Sequence, residues 1–374
     1  MQYRRTSAFV DLEAIRHNIR EHQRIIGPRS QLMAVVKADG YGHGAIPVLN
    51  EAVKQGVRWA GVSSAEEAIE LREAGVTIPV LLMGGWYPEA IPAFLSHQII
   101  PSLYSLELAQ ELNKQALKAN RRLKVHLKLE TGMGRLGLNE TQLVKLLNQL
   151  DDLEGLEIDG VFSHLSSADE DDQAFSLLQL ASFEKLVGMI NQVRPVPWKH
   201  IANSAGTFRN AEKNMDLYRL GISMYGQPTS SAASGMLHLK EALTWKTAIA
   251  HLQSHPANTP ISYNRTFQTQ RESVIATLCV GYADGYSRHL SNNGYVLVKG
   301  RRAPIVGRVC MDMTMIDVTD IKDVELHDEV VLIGKQGTDY ISATEMASWI
   351  GTINYEVVCA ISKRVPRIYK IPSS

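Results

Sequence analysis

A lysine ends an apolar run in the segment LMAVVKADGYGHG, residues 32–44, where a glycine-rich turn begins. The β-branched residues predict a buried strand, so Lys37 is expected at the carboxyl end of that strand, facing a loop. A buried ammonium group loses hydration unless it is paired or used in a covalent bond. One such use is a Schiff base with a carbonyl cofactor, because burial lowers the pKa of an amine and frees its lone pair. The alternative is a lysine whose stem reaches out to solvent.

Two later loops combine small residues with hydroxyl groups, which is typical of anion sites. The first is NSAG at residues 203–206, and the second is RLGIS at residues 219–223. Small residues let backbone N–H groups approach a phosphate closely, and Ser204 adds a hydroxyl. We therefore expect the two loops to form one phosphate site. The alternative is that Ser204 caps a helix and Gly221 only allows a turn.

Two arginines and a histidine also follow apolar runs. Arg135 lies in ETGMGRLG, where its guanidinium could hold a carboxylate through a two-pronged contact or pair internally with Glu130. His164 and Arg219 end two further runs, and we expect them to form a chain of hydrogen-bond donors towards a cofactor ring. The alternative for His164 is a structural histidine whose hydrogen bonds are satisfied within the fold.

Three segments in the last third of the chain carry aromatic and sulfur-containing residues. Tyr263 lies in ISYNRTF, Cys310 and Met311 in RVCMDM, and Tyr355 in INYEVVC. Spacing alone gives them no chemical role, since such tyrosines are usually core or interface residues and such a cysteine is usually a buried thiol. The histidines are scattered and no paired-cysteine spacing occurs, so we expect no metal site.

The composition restricts the class of protein. A chain of 374 residues is too long for one ordinary core and predicts two domains. Basic and acidic residues both number 39, and the resulting net charge of zero gives no general attraction to nucleic acid or to an anionic membrane. Three cysteines without metal-site spacing favour a reducing compartment. The N-terminus is unlike a signal peptide and no run could span a bilayer, so we expect a cytoplasmic protein.

Short apolar runs alternate with amphipathic stretches over the first two thirds of the chain. The stretch SSAEEAIELREAG, for example, has a serine N-cap and a glycine stop. Eight strand candidates separated by helix candidates predict a (β/α)8 barrel of the TIM type, whose chemistry lies at the carboxyl ends of the strands. The strand candidates are the runs at 32–38, 59–64, 80–85, 99–105, 124–130, 158–166, 198–204 and 217–226. The residues at or just beyond their ends are Lys37, Arg135, His164, Asn203, Ser204 and Arg219.

After about residue 235 the pattern changes to strand-like segments separated by glycine, asparagine and aspartate turns. The segment ISATEMASWIG is the one clear helix there. This pattern predicts a mostly β C-terminal domain. We expect the barrel to occupy residues 10–235 and the β domain residues 236–374, with residues 1–9 adding a strand to the β domain.

Taken together, these segments resemble the alanine racemase family of pyridoxal-phosphate enzymes. The segment AVVKADGYGHG is similar to the family's cofactor-attachment motif, which is highly specific. One departure is Glu130, where the family is expected to have aspartate before TGMGR, and the negative charge is kept. The other segments that match in order, over both domains, are KLETGMGRLG, FSHLSSAD, NSAG, YRLGISMYG, SYNRTF, VGYADGY, GRVCMDM and INYEVVC.

The resemblance implies pyridoxal 5′-phosphate as the cofactor, carried on Lys37. It implies that Arg219 faces the pyridine nitrogen and that His164 lies between Arg219 and Tyr263. Asn203, in the first small-residue loop, is expected in the same cofactor site. The residues implied to hold the phosphate are Tyr41, Ser204, Gly221, Ile222 and Tyr355.

The resemblance also implies a homodimer in which each active site combines the barrel of one subunit with the β domain of the other. Arg135 and the Met311 backbone would receive the carboxylate of alanine. Lys37 and Tyr263 would stand on opposite faces of the substrate, each a base for one enantiomer and an acid for the other. Lys128 resembles a lysine that is carbamylated in many members. The implied reaction interconverts L- and D-alanine and supplies D-alanine for bacterial peptidoglycan.

Three other activities remain open at this point. A decarboxylase of the same architecture would use a longer glycine-rich phosphate loop and an acidic residue at the pyridine nitrogen, where this chain has Arg219. A non-catalytic vitamin B6-binding barrel would resemble the first domain alone. A broad-specificity amino-acid racemase differs only in pocket volume, which depends on side-chain placement.

Overall fold

The computed structural model describes residues 4–209, 215–229 and 237–371. The chain divides into two compact units. The barrel unit comprises residues 15–40 and 45–240, and the β unit comprises residues 1–14, 41–44 and 241–374. The predicted boundary between residues 235 and 236 lies outside the described residues.

The first strand, β1 (Ser7–Asp11), belongs to the β unit, and the next eight strands form the sheet of the barrel unit. Most of these eight strands are short, largely apolar runs that are buried on both faces, as the coverage of a parallel sheet by helices requires. All eight strands predicted from the sequence are confirmed. They are β2 (Gln31–Val35), β3 (Trp59–Val62), β4 (Val80–Leu82), β5 (Ile99–Leu103), β6 (Leu123–Lys128), β7 (Leu156–Phe162), β8 (Trp198–His200) and β9 (Leu217–Leu220).

The barrel strands pair in parallel from β2 to β8 in chain order, and β9 pairs with β2. Between β8 and β9, the Arg219 N–H donates to Ala202 O and the Asp216 N–H donates to Lys199 O, both at 3.2 Å. The sheet is therefore a nearly closed barrel, which confirms the predicted (β/α)8 class. One apolar cluster of the barrel unit consists of Met33, Trp59, Leu81, Ile100 and Leu217.

Helices connect the barrel strands. The helix Ala65–Glu73 begins at the predicted serine, because Ser64 and Glu67 form a reciprocal capping box. Within the described residues, no helix has both the length and the apolar character needed to cross a membrane. The helices between β1 and β9 are Leu12–Ile26, Ala45–Lys54, Ala65–Glu73, Ile91–His97, Leu106–Lys118, Glu140–Leu147, Ala174–Val193 and Ser204–Arg209.

The β unit is built on a sheet of nine strands. Its strands after β9 are β10 (Leu243–His255), β11 (Pro260–Ile261), β12 (Phe267–Gln268), β13 (Ser273–Leu278), β14 (Tyr295–Val298), β15 (Arg301–Pro304), β16 (Thr314–Asp317), β17 (Glu329–Gln336), β18 (Asp339–Ile341) and β19 (Arg367–Lys370). β11 and β12 form a separate pair. β1 lies between β10 and β19, so residues 7–11 contribute a strand to this sheet.

Two helices interrupt the β unit. The predicted helix is Ala343–Ile350, with Ser342 as its N-cap and Gly351 in the left-handed conformation at its end. A second helix, Asn354–Cys359, forms from the INYEVVC segment. The expectation of one clear helix was therefore incomplete, because six residues are too few for a helical period to stand out in the sequence.

Candidate active site

Lys37 lies just beyond the carboxyl end of β2, and it is half-buried. The residues after it form a single left-handed turn, in which Ala38 and Asp39 both have a φ of 52° and Gly40 has a φ of 60°. The left-handed conformation costs a non-glycine residue about 1–2 kcal/mol. Two such residues in succession store strain of the kind that is found at functional sites.

Neighbouring polar groups hold this turn in place. Glu67 Oε1 accepts the N–H of Ala38 at 2.6 Å, and Asp39 Oδ1 accepts the N–H of Ala45 at 3.0 Å. Both contacts stabilise backbone that the turn would otherwise leave without a helical or sheet partner. The turn therefore presents Lys37 from a fixed backbone.

The two small-residue loops meet at one serine. Ser204, almost fully buried, accepts the N–H of Gly221 at 3.0 Å and that of Ser223 at 3.5 Å through its Oγ. Because Oγ accepts these N–H groups, its own proton is available to an outside acceptor. The helix cap is provided by Asn203 instead, whose Oδ1 accepts the Gly206 N–H at 2.9 Å. The alternative of Ser204 as a simple helix cap is therefore wrong.

Asn203 also ties the first loop to the loop after β7. Its Nδ2 donates to Leu165 O at 3.1 Å. The amide thus uses one end to cap the helix Ser204–Arg209 and the other end to fix the neighbouring loop. This arrangement gives Asn203 a structural task beside the predicted cofactor-binding one.

Arg219 is buried near the carboxyl end of β9 and donates through both terminal nitrogens. Nη2 lies 2.8 Å from Ser163 O, 2.9 Å from Ile201 O and 3.1 Å from His164 Nδ1. Nη1 lies 2.9 Å from His200 Nδ1. The predicted contact between Arg219 and His164 is thus present, and His200 is an additional partner that sequence reasoning missed.

Positive charge is concentrated in this part of the barrel unit. Burial, reinforced by Arg219 and Arg135, holds the pKa of Lys128 well below its ordinary value. Burial likewise holds the pKa of His164 well below its ordinary value, and the nearby cations Arg219, Lys128 and Lys37 add to this effect. An unprotonated amine and a neutral imidazole are what such surroundings favour. The arrangement suits a ligand with anionic groups.

Glu130 shapes a loop and does not form the ion pair with Arg135 that was considered above. Its carboxylate accepts the N–H groups of Gly132 at 2.5 Å and of Gly134 at 2.9 Å. The carboxylate therefore shapes the glycine-rich loop that carries Arg135, and the alternative of an ion pair with Arg135 is not what the structure shows. Aspartate and glutamate both offer the acceptor oxygens this task needs.

Four of the predicted site residues belong to the β unit. Tyr263 and Met311 are 68% and 53% exposed. Tyr41 and Tyr355 lie close together, with ring centroids 6.3 Å apart. Tyr263 follows Ser262, whose φ of 66° is left-handed. Ser262 Oγ donates to Arg308 O at 2.8 Å, which fixes the start of this turn.

Three further polar residues of the barrel unit were missed by sequence reasoning: His126, Asp159 and His200. All three are buried. The signal for His126 was present, because KVHLKLE places His126 and Lys128 two residues apart and therefore on the same face of β6. Asp159 and His200 lie in predicted strands, but only pairing across strands brings them near His126.

Comparison with known proteins gives a consistent picture over the whole chain. The family model described as alanine racemase, N-terminal domain, matches residues 10–228, and that described as alanine racemase, C-terminal domain, matches residues 242–369. The chain is 45% identical over 368 residues to an alanine racemase from Halothermothrix orenii, covering 98% of this chain and 97% of that protein.

Two solved structures are similar at the level of the fold. The crystal structure of an alanine racemase from Bacillus anthracis with bound L-Ala-P has a TM-score of 0.95 and 37% identity, covering 99% of this chain and 96% of that one. The crystal structure of an alanine racemase from Bartonella henselae with covalently bound pyridoxal phosphate has a TM-score of 0.88 and 30% identity, covering 99% of this chain and 100% of that one.

Proposed function

This chain belongs to the alanine racemase family, and on that basis we propose that it interconverts L-alanine and D-alanine with pyridoxal 5′-phosphate as its cofactor. One observation carries the proposal. β2, which leads to Lys37, pairs in parallel with β9, which leads to Arg219 and Gly221. A lysine for covalent attachment and a backbone site for phosphate therefore leave neighbouring strands at the same end of the barrel.

The residues present fit this cofactor. Ser204 Oγ and the Gly221 N–H, 3.0 Å apart, together with the Ile222 backbone, would hold the phosphate. Lys37 would form the covalent bond, and Arg219 would face the pyridine nitrogen with His164 beside it. We assign Tyr41 and Tyr355 to the phosphate as well, and Asn203 to the same cofactor site, where it also holds this loop in place. When bound, the cofactor supplies electron withdrawal that makes the Cα proton of the amino acid acidic.

Two groups would move the proton, each supplied by a different copy of this chain. Lys37 Nζ takes or returns the Cα proton on one face of the substrate, and Tyr263 Oη does so on the other. Each group is a base for one enantiomer and an acid for the other, so racemisation needs both. Arg135 and the Met311 backbone would hold the substrate carboxylate, which fixes Cα between the two groups.

We propose a homodimer in which Tyr263 and Met311 act in the active site of the neighbouring subunit. Their exposure, 68% and 53%, supports this assignment, since large apolar side chains left in water are typical of interaction surfaces. Other exposed apolar residues of the β unit add to the same argument. Among them are Tyr282, Met313 and Ile353.

Arg219 would determine which reaction the site performs. An arginine does not give up its proton near neutral pH, so Arg219 would donate a hydrogen bond to the pyridine nitrogen without protonating it. The cofactor would then withdraw electrons more weakly than one with a protonated ring. This favours racemisation over transamination, and it disfavours the decarboxylase alternative, which would place an acidic residue at this position.

Lys128 is the proposed carbamylation site. It is only 5% exposed, and burial with Arg219 and Arg135 nearby holds its pKa well below the ordinary value. An unprotonated amine can attack carbon dioxide and lose a proton, which gives a carbamate anion that the two arginines would stabilise. ¹³C NMR of the protein in ¹³C-bicarbonate, with Lys128→Met as the control, tests this assignment.

The proposed reaction is tested with the purified protein loaded with pyridoxal phosphate. We expect pure L-alanine and pure D-alanine to converge on the same equal mixture, because enantiomers have equal free energies, as read by chiral chromatography. Release of carbon dioxide without D-alanine would contradict the proposal. We further propose a cytoplasmic enzyme that supplies D-alanine to the cell wall, which the small number of cysteines, three in 374 residues, supports.

A further inference from the structure

A line of polar side chains runs through the barrel unit away from Arg219. Arg219 Nη1 lies 2.9 Å from His200 Nδ1, and His200 Nε2 lies 3.0 Å from His126 Nδ1. His126 Nε2 has no hydrogen-bond partner among the described residues and lies 3.7 Å from Asp159 Oδ2, which is beyond hydrogen-bond distance. Asp159 Oδ1 accepts from Lys124 Nζ at 2.8 Å. We call His200, His126 and Asp159 the imidazole relay. Its three members are 0%, 0% and 5% exposed.

The surrounding strands are shaped to hold these rings. His126 on β6 is paired with Gly160 on β7, and a Cβ at position 160 would lie 2.5 Å from the imidazole Cε1. Only glycine leaves room for the ring there. On β8, the His200 ring stacks on Phe162 with centroids 4.9 Å apart and an interplanar angle of 7°. Both imidazoles are thus closely packed against β7.

The N–H groups of the relay all point in the same direction along it. A guanidinium only donates, so Arg219 makes His200 Nδ1 an acceptor and leaves the proton on Nε2. His200 Nε2 then donates to His126 Nδ1, and the proton of His126 lies on Nε2, facing Asp159. A cation stands at one end of the relay and a carboxylate at the other, and every N–H points from the first to the second.

The charge states agree with this direction. Burial holds the pKa of His200 well below its ordinary value and lowers the pKa of His126, so both rings are neutral. Burial alone would raise the pKa of Asp159, but its contacts with His126 and Lys124 outweigh burial and lower it, so the carboxylate is ionised.

We propose that Asp159 is a positioning residue for Arg219, acting through His126 and His200. The negative charge of the carboxylate favours a proton on His126 Nε2, which reinforces the tautomer that Arg219 itself requires of His200, so that His200 presents an acceptor to Arg219 Nη1. The guanidinium is thereby held in one orientation towards the ring nitrogen of the cofactor. This inference rests on the proposed function, since it concerns how the enzyme selects racemisation over transamination.

The first test uses the cofactor-free protein and does not depend on activity. Long-range ¹H–¹⁵N correlation spectra of histidine-labelled protein report which ring nitrogen carries the proton. We expect His126 and His200 to be neutral with the proton on Nε2, and a proton on Nδ1 of either ring would overturn the relay. In Asp159→Asn we expect His126 and His200 to show a mixture of Nδ1 and Nε2 tautomers. If that variant does not fold, the wild-type spectrum alone tests the proton positions of the relay.

The second test uses the loaded enzyme and a matched control. Asp159→Asn is expected to raise the pyruvate formed per alanine racemised by about 3- to 10-fold, the range for weakening the one net hydrogen bond between Arg219 Nη1 and His200. Glu157→Gln removes a carboxylate from the same strand, 3.7 Å from the same Lys124 but outside the relay, and is expected to leave the ratio unchanged. Asp159→Glu keeps the charge and is expected to restore the wild-type ratio.

The outcomes separate the relay from the proposed function. Equal ratios in Asp159→Asn and Glu157→Gln, in an enzyme that racemises alanine, would overturn the relay and leave the function intact. No racemisation by the wild type, with the Nε2 tautomers confirmed, would overturn the function and leave the relay as a structural feature.

Discussion

Arg219→Lys separates the packing role of this residue from its chemical role. Arg219 donates to two buried carbonyls, Ser163 O at 2.8 Å and Ile201 O at 2.9 Å, and contacts two imidazoles. A lysine keeps the charge but has one nitrogen and cannot reach all four acceptors. Each buried carbonyl left without a donor costs about 1–3 kcal/mol. We therefore expect the free energy of unfolding of the cofactor-free protein to fall by about 2–4 kcal/mol.

A second arginine of the barrel unit provides the control. Arg72 donates to four backbone carbonyls outside the site, those of Val76, Ile78, His97 and Gln98. Urea unfolding should give a similar loss of stability for Arg72→Lys, because the same kind of contact is removed.

The two variants should differ in the reaction. In Arg219→Lys we expect the pyruvate formed per alanine racemised to rise about 10-fold or more, since a hydrogen bond to a charged group contributes about 1.5–3 kcal/mol. In Arg72→Lys the ratio should stay at the wild-type value. If both variants keep the wild-type ratio, the reasoning about Arg219 at the pyridine nitrogen is refuted.

Three further predictions follow from the same contacts. Lys37→Ala should lose the visible absorbance of protein-bound cofactor, and a band that persists after dialysis would exclude Lys37 as the attachment point. Tyr263→Phe should slow exchange of the Cα proton of one alanine enantiomer with solvent far more than that of the other, as read by deuterium incorporation, and equal losses would count against a face-specific role. His22 is fully buried and burial lowers its pKa to about 4, so the unfolded chain binds a proton that the fold does not. Stability should therefore fall as the pH drops from about 6.5 to about 4, by about 3 kcal/mol, and acid titration of the unfolding free energy should show a shallower slope in His22→Leu than in wild type.

Local patterns in the sequence were enough to predict the barrel. Most of the strands are largely apolar runs of a few residues, which is the composition typical of buried parallel strands. The helix Ala343–Ile350 was equally accessible, because its serine start and glycine stop are both local signals. The helix Asn354–Cys359 was missed because it is shorter than two helical turns.

The site was only partly predictable for a physical reason. Residues at strand ends, such as Lys37 and Arg219, are found from the strand pattern itself. The imidazole relay depends on which side chains face each other across β6, β7 and β8, and a single sequence does not state that register. The left-handed turn after Lys37 was hidden as well, since alanine, at position 38, rarely adopts a positive φ, and the single aspartate that follows does not predict such a turn by itself.

The whole account depends on the amine at position 37, and borohydride trapping tests it most directly. The purified protein is loaded with pyridoxal phosphate, reduced, digested and analysed by mass spectrometry. We predict a single stable pyridoxyl group on the peptide that contains Lys37. A label on any other lysine, or no label in protein that still racemises alanine, would contradict the account.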